Sequence, residues 1–158
     1  MPGEGLRLGL ADAERALVVD PALASAHAAR GWYLGVMIGD VESGLESIDR
    51  ALAIDPSHAR AHSYKAWVLR SSGRLPEALH AAERAAAIDP HSLLNRHSLA
   101  WNLFCTGRPE DALQIERQIR NVQPHIDLGH AYVAIFAAWL GEYDEAVACL
   151  LYTSDAAD

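Results

Sequence analysis

Prolines at positions 21, 56, 90 and 124 divide the sequence at intervals of 35, 34 and 34 residues, and the residues around each follow one pattern. A fixed period of this length marks a unit of two helices that cannot bury its apolar face alone, so neighbouring units must stack to share a core. Whatever such a chain does is done by the surface that the stack presents.

Each recurring residue has a physical reason. Asp20, Asp55 and Asp89 precede three of the prolines and Gln123 the fourth, and each proline follows an apolar helical run. Proline forces the residue before it out of the helical region, so each one ends a helix and opens a turn. Ten residues further on stand Gly31, Ala66, Ala100 and Ala134, small enough for two helices to approach closely. Seventeen or eighteen residues after each proline, Gly39, Gly73, Gly107 and Gly141 are placed to close the first helix. The second helix opens on Arg74-Leu75-Pro76-Glu77, Arg108-Pro109-Glu110-Asp111 and Glu142-Tyr143-Asp144-Glu145, with proline and acids where the free N–H groups and the helix dipole favour them. Ala16, Ala51 and Ala85, five residues before a proline, supply small contacts late in the second helix; Ile119 departs from the series.

These residues resemble the tetratricopeptide repeat, whose pattern is an aromatic, Leu-Gly, Tyr, Ala, a large apolar residue and Pro. The resemblance runs from about Leu6 to Ala148, with His27, His62, Arg96 and His130 at the usual aromatic position and Arg30, Lys65, Leu99 and Val133 at the usual leucine. It implies an all-α fold, a right-handed α-solenoid of stacked antiparallel helix pairs. The expected units are 24–58, 59–92 and 93–126, preceded by a lone second helix within 1–23 and followed by a partial unit at 127–148.

Trp32, Trp67, Trp101 and then Ile135 stand eleven residues after the prolines, directly after the small residue of each first helix. One step turns a helix by about 100°, so these side chains leave the tight contact and swing toward the inner face. In tetratricopeptide arrays the first helices line a concave groove, which implies that Arg60, Ser63, Arg70, Leu94, His97, Phe104, Leu128 and Trp139 share it, with Ser25, Ala28 and Ala131. Such a surface suits an amphipathic helix or an extended peptide, where aromatic anchors dominate binding. The alternative is that the tryptophans pack on their neighbours and stabilise the stack. The lysine and asparagine clamp by which some tetratricopeptide domains hold a C-terminal carboxylate is replaced here by alanine, serine, histidine and tryptophan, so capture of an acidic chaperone tail is not expected.

No catalytic constellation is expected. His58 and His62 are four apart but have no Glu between them and no cysteine cluster nearby, so neither a metal nor another cofactor is expected. Phosphate-binding glycine loops, nucleophile elbows and zinc-protease helices do not occur. Glu77, Glu110, Asp111 and Glu145 read as charges at helix starts.

The chain is 51% hydrophobic, largely alanine, with a net charge of −8, which opposes binding to a nucleic-acid backbone. No run is apolar enough to span a bilayer, and the start lacks a basic segment followed by an apolar one. The expected compartment is the cytoplasm rather than the periplasm, with the parent protein free to be membrane-anchored. Twelve arginines against one lysine suggest a GC-rich bacterial genome.

The last ten residues, Cys149 to Asp158, resemble the translation of a transposase sequencing adapter, since TGT CTC TTA TAC ACA TCT GAC GCT GCC GAC reads out as this decapeptide without a mismatch. The expectation is a gene fragment, metagenomic in origin, with a read-through tail whose removal of Asp155 and Asp158 takes the charge from −8 to −6. An N-terminus cut inside a repeat and uncapped ends that self-associate are expected with it. The wording of 26–32, 39–44 and 89–95 resembles helical arrays of bacterial signalling proteins. It implies the regulatory part of a larger protein that binds a protein or peptide through its groove. The opposing reading is a non-catalytic segment of a multidomain enzyme, such as an adenylate cyclase, Ser/Thr kinase or glycosyltransferase.

Overall fold

The computed structural model of the chain describes residues 2–125 and 127–155. It divides into two compact units, Met1–Ser98 and Leu99–Asp158. Among the described residues the regular structure is helical throughout.

The first unit holds α1 (Pro2–Val19), α2 (Ala24–Trp32) with a continuation at Tyr33–Ile38, α3 (Val41–Ile54), α4 (Ala59–Ser71), α5 (Leu75–Ile88) and the beginning of α6 (Leu93–Cys105). The second holds the rest of α6, α7 (Pro109–Val122), α8 (Asp127–Trp139) and α9 (Tyr143–Asp155). α1, α3, α5 and α7 each stop two residues before a repeat proline.

The aspartates ahead of the prolines organise the turns. Asp20 accepts from the Ala22 N–H at 2.9 Å, Asp55 from the Ser57 N–H and hydroxyl at 3.0 and 2.7 Å, and Asp89 from the N–H groups of His91 and Ser92 at 3.2 Å. The carboxylate takes up donors that the interrupted helix leaves free, as Asp does in turns generally.

At the other end of the first helices, Gly73 has φ +79° and donates to the Arg70 carbonyl while Arg74 donates to that of Leu69, the paired bonds of a Schellman cap. Gly107 and Gly141 close α6 and α8 with the same pair of bonds. Gly39 differs, because the Asp40 N–H reaches back six residues to the Leu34 carbonyl. The cause is legible in the spacing: Pro21 to Gly39 is one residue longer than in the other units, and the helix absorbs that residue as a π-helical stretch over Tyr33–Ile38.

Small residues set the helix approach. Ala66, Ala100 and Ala134 are buried, as are Ala51, Ala85 and Ile119. In the first pair the seam is bare: a Cβ on Gly44 would lie 2.7 Å from the Gly35 Cα, and one on Gly31 would lie 2.6 Å from the Gly44 carbonyl oxygen. α2 and α3 therefore meet backbone to backbone. Ion pairs dress the outside: Arg74 with Glu77 and Arg108 with Asp111 at the openings of α5 and α7, and Arg117 and Arg120 of α7 with Glu145 of α9 at 2.5 and 2.9 Å. α9 runs on through the segment assigned to the adapter, with Cys149 buried and within 3.3 Å of Arg120. No described helix is long and apolar enough to cross a membrane.

Candidate functional site

In the first unit, Trp32 and Trp67 follow the buried Gly31 and Ala66 and are themselves half-buried. Trp32 packs edge-on to Tyr33 at 5.0 Å and against Tyr64 of α4 at 5.7 Å, so its ring lies between successive first helices. The Arg70 guanidinium sits 5.5 Å from the Trp67 ring, within cation–π reach. The indole N–H groups of both tryptophans are buried without an acceptor among the described residues. Their polar edges are thus turned inward, and what water or a ligand can reach is carbon.

Of the other residues assigned to the groove in this unit, Arg60 is exposed and Leu94 half-buried. Ser63 and His97 are buried, at 0% and 6% exposure. The Ser63 hydroxyl donates to Asn95 Oδ1 at 2.7 Å, while Asn95 Nδ2 donates to the carbonyls of Ala85 and Asp89 at 3.2 Å. Ser63 is therefore one end of a buried polar link from α4 to α5 and α6, out of reach of a ligand on the surface. Of the other first-helix positions, Ser25 is exposed and Ala28 buried.

In the second unit, Trp101 meets Phe104, Tyr132 and Phe136 edge-on at 5.8, 5.5 and 5.1 Å. Phe104 stacks on the fully buried Phe136 at 4.7 Å and meets Trp139 edge-on at 5.3 Å. Leu128, Ile135 and Trp139 are exposed, at 47%, 44% and 73%, and Ala131 is half-buried. Each unit thus presents an aromatic first-helix surface in which the rings hold neighbouring helices together and keep part of their faces open.

Tyr64, Tyr132 and Phe136 complete these clusters and were not singled out from the sequence. Tyr64 and Tyr132 both stand eight residues after a repeat proline and three before the position of Trp67 and Ile135, a spacing that puts them on the same helix face.

The repeated histidines serve the turns. His27, His62 and His130 place Nε2 at 2.9, 3.0 and 3.0 Å from the carbonyls of Pro21, Pro56 and Pro124. A carbonyl only accepts, so Nε2 carries a proton in all three. His58 caps α4, its Nδ1 accepting from the Ala61 N–H at 3.2 Å. His58 and His62 are thus each committed to backbone. No cluster of three or more potential metal ligands occurs among the described residues.

The tetratricopeptide repeat family matches residues 59–92. Among solved structures, the chain is similar to a thermophilic tetratricopeptide-repeat protein of Thermus thermophilus, with a TM-score of 0.81 at 19% identity over 94% of this chain and 81% of that one. It is similar to Pseudomonas aeruginosa pilF, with 0.76 at 20% identity over 96% and 74%. A third is YrrB, described as a tetratricopeptide-repeat protein with an unusual peptide-binding site, with 0.69 at 18% identity over 98% and 79%. No curated protein matches the sequence. Residues 59–92 thus match the tetratricopeptide repeat, and the chain has the helix-pair fold of these tetratricopeptide-repeat structures.

Proposed function

We propose that the chain is a protein-interaction scaffold without chemistry of its own, the regulatory or sensory part of a larger bacterial signalling protein. It holds an amphipathic helix or extended segment against the tryptophan faces of its first helices. The observation that carries this reading is the Trp67–Arg70 pair, a half-open aromatic face beside a guanidinium, with the exposed Arg60 two turns earlier on the same helix. Tryptophan and arginine are the residues that most often dominate binding energy at protein interfaces. The edge-on packing of Trp32 and Trp101 supports the structural role weighed against ligand contact, and the two are compatible because a ring fixed by its neighbours is preorganised for a partner.

The test is selection of displayed peptides against the full chain, followed by fluorescence polarisation on the selected sequences. Trp67→Ala is expected to weaken them by about tenfold or more, the scale of an interface anchor. Glu83→Ala, at an exposed position of α5, is expected to leave them unchanged. Equal losses in the two variants, or losses that follow only the melting temperature, would assign the tryptophans to packing alone.

A further inference from the structure

The first unit carries, apart from its tryptophan face, two clefts built on one set of repeat positions. One, of about 500 Å3, lies between α3, α4 and α5, with Leu52 and Leu69 as apolar wall, half-buried His62 and Lys65, and exposed His80 and Arg84. The other, of about 670 Å3, has Leu17, His27, Arg30 and Arg50 in the same register one repeat earlier. On α4 the residues His62, Lys65 and Leu69 form one stripe, and at about 100° per residue Trp67 lies nearly opposite it. The cleft and the tryptophan face are therefore separate surfaces of one helix.

The second unit shows, within itself, what this register accepts. His130 stands where the earlier repeats have His27 and His62, and Tyr152, eleven residues past the helix-closing glycine, stands where they have Arg50 and Arg84. The Tyr152 ring lies flat on the His130 imidazole, with centroids 3.9 Å apart and planes 18° from parallel. In the α3–α4–α5 cleft no ring of the described residues covers His62, because the side chain at that place is an arginine.

The charges of the cleft favour an acidic neighbour for such a ring. Lys65 is paired with Asp49 at 2.6 Å and Glu77 with Arg74 at 2.5 Å, so those charges are answered internally. Arg84 and His80 have no ion pair or hydrogen bond among the described residues. Burial, with Arg84, Lys65 and His80 nearby, pushes His62 below the usual imidazole range, which keeps the ring neutral at pH 7.

We propose that the α3–α4–α5 cleft is a second peptide site, which takes an aromatic side chain of a partner segment flat on His62 and a carboxylate of the same segment on Arg84. The partner is a protein exposing a short stretch in which an aromatic residue adjoins acidic ones. This site does not depend on the tryptophan face, and the two succeed or fail separately.

The probe is the fluorescein-labelled, amidated peptide Gly-Asp-Tyr-Glu-Gly, titrated against the full chain at low salt. Binding is expected, weakened about tenfold by Arg84→Glu. Replacing the peptide's Tyr by Ala, or its two acids by their amides, is expected to weaken it comparably, and Trp67→Ala to leave it intact. Arg84→Tyr repeats in the first unit what Tyr152 does in the second: it is expected to abolish binding and to move the His62 ring-proton resonances upfield. That shift also shows the variant to be folded. The proposal is overturned if the peptide does not bind at about 1 mM, a limit equivalent to roughly 4 kcal/mol, or if it binds Arg84→Glu and the parent chain equally. Loss confined to Trp67→Ala also overturns it, and assigns the peptide to the tryptophan face.

Discussion

His62 donates its Nε2–H to the carbonyl oxygen of Pro56 at 3.0 Å, across the turn between α3 and α4. The tetratricopeptide pattern favours an aromatic at this position, and here a polar ring closes the turn that the proline opens. The bond should contribute about 1 kcal/mol, the usual net value for an intramolecular hydrogen bond. Its loss in His62→Ala is expected to lower the urea midpoint, with His62→Asn keeping part of it if the amide reaches the same carbonyl.

The same residue sets a pH dependence. Burial is the first cause of its lowered pKa, followed, after the opposing Pro56 bond, by Arg84, Lys65 and His80. The unfolded chain therefore takes up this proton first. The stability contributed by neutral His62 is complete above the ordinary value of 6.5 and is lost as pH falls from there toward the lowered native value. The difference in unfolding free energy between the parent chain and His62→Asn should shrink between pH 7.5 and pH 5.5. A constant difference would show that His62 titrates as a free imidazole.

Glu145 gives the opposite pH window. Hydrogen bonds from Arg117 are the first cause of its lowered pKa, with Arg120 adding to them. Its folded pKa lies below the ordinary 4.5, so its contribution is present above that value and is lost as pH falls through the lowered one. The pair is partly exposed and should contribute about 0.5–1 kcal/mol. Glu145→Gln is expected to cost that much at pH 7 and progressively less as pH falls below 4.5, read as the difference in melting temperature from the parent chain across that range.

Gly44 tests the bare seam. Alanine in a helix is favoured over glycine by about 1 kcal/mol, but the new methyl would lie 2.7 Å from the Gly35 Cα and nitrogen and 2.9 Å from the Gly31 carbonyl oxygen. These are backbone atoms, which cannot turn aside as a side chain would, and overpacking of this kind costs about 1–3 kcal/mol. The clash should win, and Gly44→Ala should destabilise. At Gly73 there is open space and φ +79°, so Gly73→Ala carries only the cost of left-handed backbone, about 1–2 kcal/mol. Denaturant titration of both variants separates the mechanisms: a second change, Gly35→Ala, should deepen the first loss and add independently to the other.

Much of this fold is written in residues whose covalent structure sets their backbone range, proline by fixing φ and glycine by admitting positive φ. Pro21, Pro56, Pro90 and Pro124 fix where helices stop, and Gly73, Gly107 and Gly141 where first helices turn, without help from tertiary packing. The first-helix face is less legible because angle around a helix does not say what covers it. Ser63 and His97 share the angular sector assigned to the groove and are buried, whereas Ile135 and Trp139 of the same series are exposed. The partner rings Tyr64, Tyr132 and Phe136 belong to the next helix along, and their registration depends on how closely Gly31 and the alanines let helices approach. The clefts around His62 and His27 depend on three helices at once, and no single periodicity encodes them.

The extra residue between Pro21 and Gly39 shows the same limit and supplies the sharpest test of register. The 35-residue interval announces an insertion, yet a loop could have absorbed it; instead the helix widens over Tyr33–Ile38. The surroundings explain the choice. The Tyr33 hydroxyl presses on Gly9 of α1, a Cβ on Gly35 would lie 2.6 Å from Val68 Cγ2, and Gly39 must still end the helix at φ +87°. Both ends of the stretch are fixed, so the surplus is taken up between them. Removing Met37, exposed at 38%, restores the seventeen-residue spacing and lets the stretch relax to ordinary α-helix with both anchors kept. Its melting temperature is expected to stay within about 3 °C of the parent chain, the equivalent of roughly 1 kcal/mol at this size. Removing Ser71, near the end of α4, shortens a helix that has no surplus, rotates Gly73 by about 100° and misplaces the start of α5. That deletion should lower the melting temperature far more. Equal damage from the two would mean that the widened turn is itself required, holding Tyr33 and Trp32 in an orientation that a regular helix cannot give.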